Sequence, residues 1–286
     1  VINMAITLRT HVTIYTGDDL WSKVNEFPRD SDPALCYKIF ENHGVNSGHS
    51  IRIHSSFDGV IESGIGSSGS FSVALISALR KKEGKTFDRK SIAIEGYETE
   101  THDLRWAGGC QDQFAASYGG MNVLTIGKDT FDIYSLSHDL VIPFYDCLSL
   151  FHIGGTRKSK TIQKSFSVLS DEKISRLNEL KNMTDRFLDV FQKKDYPSLG
   201  NLLHESWEIK KKSNPEVSNP RVDEIYDTAR KNGAMGGKLC GAGETGYMVF
   251  FSKPADKPKI REALEKMNCI WTDFMPDFTG VTTRFL

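Results

Sequence analysis

Residues 62–79 read E-S-G-I-G-S-S-G-S-F-S-V-A-L-I-S-A-L. Gly64, Gly66 and Gly69 stand among Ser63, Ser67, Ser68, Ser70 and Ser72, and from Phe71 the run becomes one of good helix formers with little charge. A small-residue loop feeding a buried helix brings backbone N–H groups close to whatever it encloses. It also aims the unpaired N–H groups and positive dipole end of the first helical turn at that guest. An anion satisfies both, and serine hydroxyls add donors to phosphate or oxygen ligands for Mg²⁺. A plain Gly/Ser turn entering a core helix has the same composition. The spacing matches neither G-x-x-x-x-G-K-[ST] nor a G-x-G-x-x-G with an acidic residue at Rossmann distance, which excludes the two commonest phosphate loops.

A chain of 286 residues can bury a substantial core and has room for one large or two medium domains. With 39% hydrophobic residues, 26% charged residues and a net charge of −1, nothing in the balance selects nucleic acid or an anionic membrane surface as a partner. The apolar runs fall short of the roughly 20 residues needed to span a bilayer, and no signal peptide opens the chain. Cys36, Cys110, Cys147, Cys240 and Cys269 are odd in number and contain no C-x-x-C pair, which argues against disulfides and structural zinc and for a reduced, cytoplasmic protein. Val1 leads directly into a strand pattern, so residues upstream are an expectation.

Ile2, Met4, Ile6 and Leu8 alternate with polar or small residues, and the pattern continues through Val12 and Ile14, giving a strand or a pair of strands. Ala34 to Glu41 reads as a short helix, and Ser50 to Ser56 as a strand with His54 on its solvent side. Asp88 is a plausible N-cap for a helix to about Leu104, whose end carries Glu98, Glu100, His102 and Asp103. Then comes G-G-C-Q-D-Q-F-A-A-S-Y-G-G-M-N, residues 108–122. Asp112 could cap the following segment, yet two amides flanking one acid between glycines can orient that acid or bond a polyhydroxyl ligand. Phe131 to Leu136 and Asp146 to Ile153 are strand candidates, with a domain boundary between them at 137–145.

Gly154-Gly155-Thr156-Arg157-Lys158-Ser159-Lys160 is a second small-residue turn in which Arg157 can hold a phosphate or carboxylate bidentately. Residues 171–194, 197–212 and 219–232 read as amphipathic helices, with Leu177, Leu180, Phe187, Leu188 and Phe191 as a core stripe and Lys210-Lys211-Lys212 as a solvated last turn. Five glycines between Gly236 and Gly246 precede the apolar strand Tyr247 to Phe251, and read as a loop lying against a ligand or another loop. Asp256 to Met267 is a helix, and the last 17 residues a strand pair.

The order of these signals is specific: a Gly/Ser loop opening a helix, an acidic helix end, Q-D-Q between glycines, and K-L-C-G-A-G at Lys238 to Gly243 before a strand. It resembles the GHMP kinases, the family of galactokinase, homoserine kinase and mevalonate kinase. G-I-G-S-S-G-S at Gly64 to Ser70 is similar to the family's G-L-G-S-S-A loop, and K-L-C-G-A-G to its third motif. Within the family, residues 108–122 and the G-G-T-R-K-S turn look closest to bacterial heptose kinases, which phosphorylate the anomeric hydroxyl of a mannoheptose 7-phosphate.

The resemblance implies an α+β fold in two parts, residues 1–140 like ribosomal protein S5 domain 2 and residues 141–286 ferredoxin-like, with ATP and a sugar or sugar phosphate meeting between them and a homodimer left open. By position, Gly64, Ile65, Gly66, Ser67, Ser68, Gly69 and Ser70 would wrap the ATP phosphates. Ser68 and Glu100 would ligate Mg²⁺, with Glu98 next in line, and Asp112 would accept or orient the hydroxyl proton. Gln111, Arg157, Gly241 and Gly243 would face the substrate, with Lys160 a further candidate for its phosphate. Three features depart from the family: its first motif has no counterpart, Glu244-Thr245 stands where the third motif has glycines, and Ile61-Glu62-Ser63 replaces the proline before the second. A kinase for another small alcohol, such as L-fucose, galactose or mevalonate, and an inactive sugar or nucleotide sensor are the competing expectations.

Overall fold

The computed structural model describes residues 1–16, 32–45, 51–128, 130–155, 171–241 and 243–285. The chain divides into two compact units, neither contiguous in sequence. One comprises Asn3–Ile61, Gly66–Leu124 and Pro276–Leu286, and the other Val1–Ile2, Glu62–Ile65 and Thr125–Met275.

In the first unit the opening alternation resolves into two strands, β1 (Ile2–Met4) and β2 (Thr10–Thr16). β2 pairs antiparallel with β3 (Ile51–Phe57), setting Ile14 against Ile53 and Thr13 against His54. Ile51 and Ile53 are buried and His54 exposed, as a period of two requires. Helix α1 (Pro33–Asn42) starts on Asp32, whose side chain accepts from the Ala34 N–H, and buries Leu35, Cys36, Ile39 and Phe40. Helix α2 (Ser67–Lys82) begins four residues before the sequence pattern turns apolar, so Ser67, Ser68 and Ser70 are helical rather than loop residues. Its inward face, Phe71, Val73, Leu75, Ile76 and Leu79, forms the core with α1, β3 and Ile92.

Asp88 caps helix α3 (Arg89–Glu98), accepting from the Lys90 and Ser91 N–H groups. The helix continues as one π-helical turn over Thr99–Asp103. Helix α4 (Gln111–Tyr118) and strand β4 (Met121–Ile126) follow, and Asn122 donates to the Asn3 side chain of β1 at 3.2 Å. The final segment ties back here: Arg9 pairs with the buried Asp277 at 2.6 Å, and the Asp277 carbonyl accepts from the Gly120 N–H. The expected terminal strand pair is not formed. After Thr272 the described chain makes only an isolated bridge between Ile6 and Pro276, because its backbone groups are taken up by these loop contacts.

His43, just past α1, places its ring between two acids in this unit. Nδ1 lies 2.7 Å from Glu83 and Nε2 2.7 Å from Glu95, which also accepts from Arg80 Nε at 2.9 Å. Burial opposes the imidazolium, but Glu95 and Glu83 outweigh it and hold the His43 pKa above its ordinary value. A raised histidine pKa adds stability that is complete below about pH 6.5 and lost as pH rises through the folded-state value. His43→Gln is therefore expected to cost about 2 kcal/mol at pH 6, and the deficit to shrink above pH 7 in urea titrations. A pH-independent deficit would count against a charged His43.

In the second unit, β6 (Leu148–His152) and β8 (Tyr247–Ser252) are the central strands of an antiparallel sheet ordered β7-β8-β6-β9, with β7 (Ala234–Leu239) and β9 (Ile270–Thr272) at its edges. Strand β5 (Phe131–Ser135) precedes helix α5 (His138–Tyr145), which occupies the span expected to be a boundary; Val141 and Phe144 bury it despite Pro143. Helices α6 (Asp171–Gln192), α7 (Tyr196–Ser213), α8 (Pro220–Lys231) and α9 (Lys257–Glu265) complete the unit. Phe151, Trp207, Ile225, Tyr226, Phe250 and Leu264 form its core. Phe187 and Phe191 from the α6 stripe pack their rings on Phe144.

Two sequence expectations change in this unit. Gly236 and Gly237 lie in β7 rather than in a loop; a Cβ at Gly236 would collide with the Gly200 carbonyl, so this glycine lets α7 approach the strand, while one at Gly237 would meet Val249 and Phe250 of β8. The Lys210–Lys212 run is not a simple solvated turn either. Lys211 pairs with Glu208 at 2.9 Å and lies over the Trp207 and Tyr226 rings, and Lys210 reaches into the third glycine cluster.

Candidate active site

The glycine loop presents its residues to two sets of neighbours. Gly66 caps α2 in the left-handed conformation (φ 77°, ψ 25°), and a Cβ there would meet the Asp112 carboxyl carbon at 3.1 Å. One turn on, a Cβ at Gly69 would lie 2.8 Å from Asp112 Cβ and 3.2 Å from the Gln113 N–H nitrogen. Missing side chains at these two positions let α4 dock its first turn on the first turn of α2. Ser67 is half-buried and Ser68 exposed at this end of the helix. Ser70 is engaged structurally, its hydroxyl bonding the Ser67 carbonyl and Thr10 Oγ1.

Asp112 is solvent-accessible, yet protein atoms crowd its carboxyl and the resulting desolvation pushes its pKa up. Glu100 comes from the π-helical turn. Burial, and after it the charge of Asp112, raise its pKa to about 7, against hydrogen bonds from Gln113, Ser68 and Ser72. Gln113 Nε2 donates to Glu100 Oε1 at 3.0 Å. Ser68, Glu100 and Asp112 thus share one neighbourhood within the first unit. Glu98 ends α3 exposed and is not part of it, because the widened turn after it redirects the next residues.

The sequence does not single out Gln113 and Ser72 as partners of Glu100, because both amides of the Q-D-Q run flank Asp112 in one dimension. Helix α4 separates them instead, sending Gln113 to the interior and leaving Gln111 exposed, with its carbonyl accepting from Asn3 at 2.9 Å. A legible signal did exist in Gly96, a glycine inside α3, where a Cβ would meet Ser72 Oγ at 2.9 Å and Gln113 Cγ at 3.3 Å.

Gly64 and Ile65 belong to the second unit. There a Cβ on Gly64 would strike the Cys240 carbonyl oxygen at 2.7 Å, and one on Gly241 (φ 63°) would strike Gly64. The Ser63 carbonyl accepts from the Tyr247 N–H at 3.0 Å. Gly243 lies on Val217, and Glu244, at φ 67°, occupies a backbone region that suits the glycine usual in the related motif. The third glycine cluster therefore does lie against another loop, the one that begins residues 62–70. Arg157 and Lys160 fall outside the described residues.

The donor set suits Mg²⁺. The charge of Asp112 helps to raise the proton affinity of Glu100, so two carboxyls stand together, and the Ser68 hydroxyl bonds Glu100. Among the described residues no three His, Cys, Asp or Glu side chains could hold a metal by themselves, and Mg²⁺ commonly takes only one or two carboxylates, with phosphate and water supplying the rest. A carboxyl with a raised pKa lowers stability as pH climbs from about 4.5 through 7. Glu100→Gln is thus expected to stabilise the metal-free protein by about 1–3 kcal/mol at pH 8 and to abolish the Tm increase produced by Mg²⁺ with ATP. Loss of stability in that variant would show a purely structural Glu100.

Residues 34–120 match the GHMP kinases N terminal domain and residues 187–269 the GHMP kinases C terminal family. The chain is 30% identical over 237 residues to a D-glycero-alpha-D-manno-heptose 7-phosphate kinase of Campylobacter jejuni, covering 81% of this chain and 70% of that protein. A crystal structure of a Campylobacter jejuni protein superposes with a TM-score of 0.75 at 25% identity, over 98% of this chain and 87% of the other. A D-glycero-D-manno-heptose 1-phosphate kinase from Bacteroides thetaiotaomicron superposes with a TM-score of 0.74 at 21% identity, over 98% and 88%. No helix among the described residues is long and apolar enough to cross a membrane. The helix-opening glycine loop, the Ser68–Glu100–Asp112 group and the K-L-C-G-A-G contact thus belong to a GHMP kinase, and the chain is a member of that family of ATP-dependent phosphotransferases.

Proposed function

We propose that the chain transfers the γ-phosphoryl group of ATP to the anomeric hydroxyl of D-glycero-D-manno-heptose 7-phosphate. The observation that carries this reading is the grouping of Ser68, Glu100 and Asp112 at the start of α2, in a chain 30% identical to a heptose 7-phosphate kinase. Phosphoryl transfer asks mainly for positioning and charge stabilisation. Asp112, with its raised proton affinity, accepts or orients the proton of the attacking hydroxyl. Ser68 and Glu100 would hold Mg²⁺, which when bound would neutralise charge on the phosphates. Gly64, Ile65, Gly66, Ser67, Ser68, Gly69 and Ser70 surround the phosphates with backbone N–H groups and hydroxyls, and Gln111, Arg157, Gly241 and Gly243 contact the sugar phosphate. A reducing, cytoplasmic setting goes with this reading, in which the buried thiols of Cys36, Cys110, Cys147 and Cys269 stay reduced.

The test is ATP consumption against a panel of heptose 7-phosphate, L-fucose, galactose and mevalonate. The heptose phosphate should give the highest kcat/KM, and a phosphate-free sugar outranking it would refute the assignment.

A further inference from the structure

Lys210, near the C-terminal end of α7, reaches the third glycine cluster, within which Lys238 stands near the end of β7. Lys210 Nζ donates to the Gly241 carbonyl at 2.8 Å, and its ammonium stands 6.0 Å from the Trp207 ring centroid. One of its three donors is thereby used and two remain. No carboxylate among the described residues pairs with Lys210 or Lys238. Lys211, the next residue, has two acids at hand, Glu208 and Asp223. The contrast matters because a lysine without an acid partner keeps its remaining donors available to an anion. Burial, and then the charge of Lys238, pull the Lys210 pKa down to about 8. The carbonyl that Lys210 holds belongs to Gly241, whose backbone packs on Gly64 of the glycine loop.

We propose that Lys210 and Lys238 form a phosphoryl-receiving pair beside the Gly64–Gly241 contact, with Lys210 also pinning the third-motif loop through the Gly241 carbonyl. The ligand chemistry is a phosphate ester, from either the nucleotide or the phosphorylated sugar. This deepens the kinase reading and rests on its placement of phosphates at the glycine loop.

Amine-reactive acetylation of the full chain at pH 8, read by mass spectrometry at Lys210 and Lys238 with exposed Lys266 as internal control, tests it without turnover. The probes are ADP, inorganic tripolyphosphate and D-mannose 6-phosphate, each in a separate arm. Protection by the first two identifies the nucleotide as the source, and protection by the third alone identifies the sugar phosphate. Absence of protection in all three arms overturns the pair, even where the protein turns over a heptose phosphate. Protection in a protein that phosphorylates no sugar upholds the pair and refutes the proposed reaction.

Lys210→Met should weaken binding of the protecting ligand by about tenfold, the loss of one charge-assisted contact, and Lys210→Arg should retain most of it. Equal affinity in Lys210→Met and the parent protein would reduce Lys210 to a structural clamp and overturn its assigned role.

Discussion

Asp112→Asn is expected to lower kcat by about 10²–10⁴-fold while leaving ATP affinity within a few-fold of the parent protein. The substitution is nearly isosteric, so α4 keeps its first turn on Gly66 and Gly69, but the amide can neither accept the hydroxyl proton nor carry negative charge beside the nucleophile. The same change removes one charge that raises the Glu100 pKa. Glu100 should then ionise at lower pH in the variant, by the sign of like-charge coupling. Steady-state kinetics with nucleotide binding by fluorescence or calorimetry reads both quantities. Turnover within threefold of the parent protein would remove Asp112 from the chemistry, and ATP affinity falling in step with kcat would mean that it shapes the nucleotide site instead.

Gly69→Ala carries the second large effect, and through a different route. A methyl at Gly69 would stand 2.8 Å from Asp112 Cβ and 3.3 Å from the Asp112 carbonyl carbon. The obstruction is the backbone and Cβ of a helix start, not the flexible end of a side chain, so α4 has to shift. Overpacking of this kind costs about 1–3 kcal/mol, and a displacement of order 1 Å in a reacting group can cost about 10²-fold in rate. Gly69→Ala should therefore lose far more activity than stability. Gly84→Ala is a control outside the site: Gly84 ends α2 at φ 68° with nothing within reach of a Cβ, so it should lose stability through its backbone alone and keep kcat. Equal kcat in the two variants would show that the close approach at Gly69 has no catalytic consequence.

Much of the secondary structure was legible because it rests on local physics. Asp32 and Asp88 behave as N-caps through bonds to N–H groups two and three residues away, and the period-two burial of Ile51 and Ile53 follows from the pleat alone. Where local and tertiary preferences conflict, the pattern misleads. Helix α5 contains Pro143 and follows the polar Ser137-His138-Asp139, but Val141 and Phe144 are drawn into the core. Gly236 and Gly237 look like loop residues and are strand residues, because α7 presses on Gly236 and β8 on Gly237 so closely that a side chain would not fit.

The candidate site divides in the same way. Residue order alone determined that the chain carries motifs resembling those of the GHMP kinases, and that resemblance named Ser68, Glu100 and Asp112, since the order of small, acidic and amide residues survives in one dimension. Tertiary structure decided that Glu100 rather than Glu98 faces Ser68, that Gln113 bonds Glu100 while Gln111 points outward, and that Lys210 lies on the third motif. A π-helical turn, a helix start docked on two glycines and a lysine from an element some thirty residues away all depend on contacts between distant segments. Their energies come from packing and desolvation, which no local window of sequence contains.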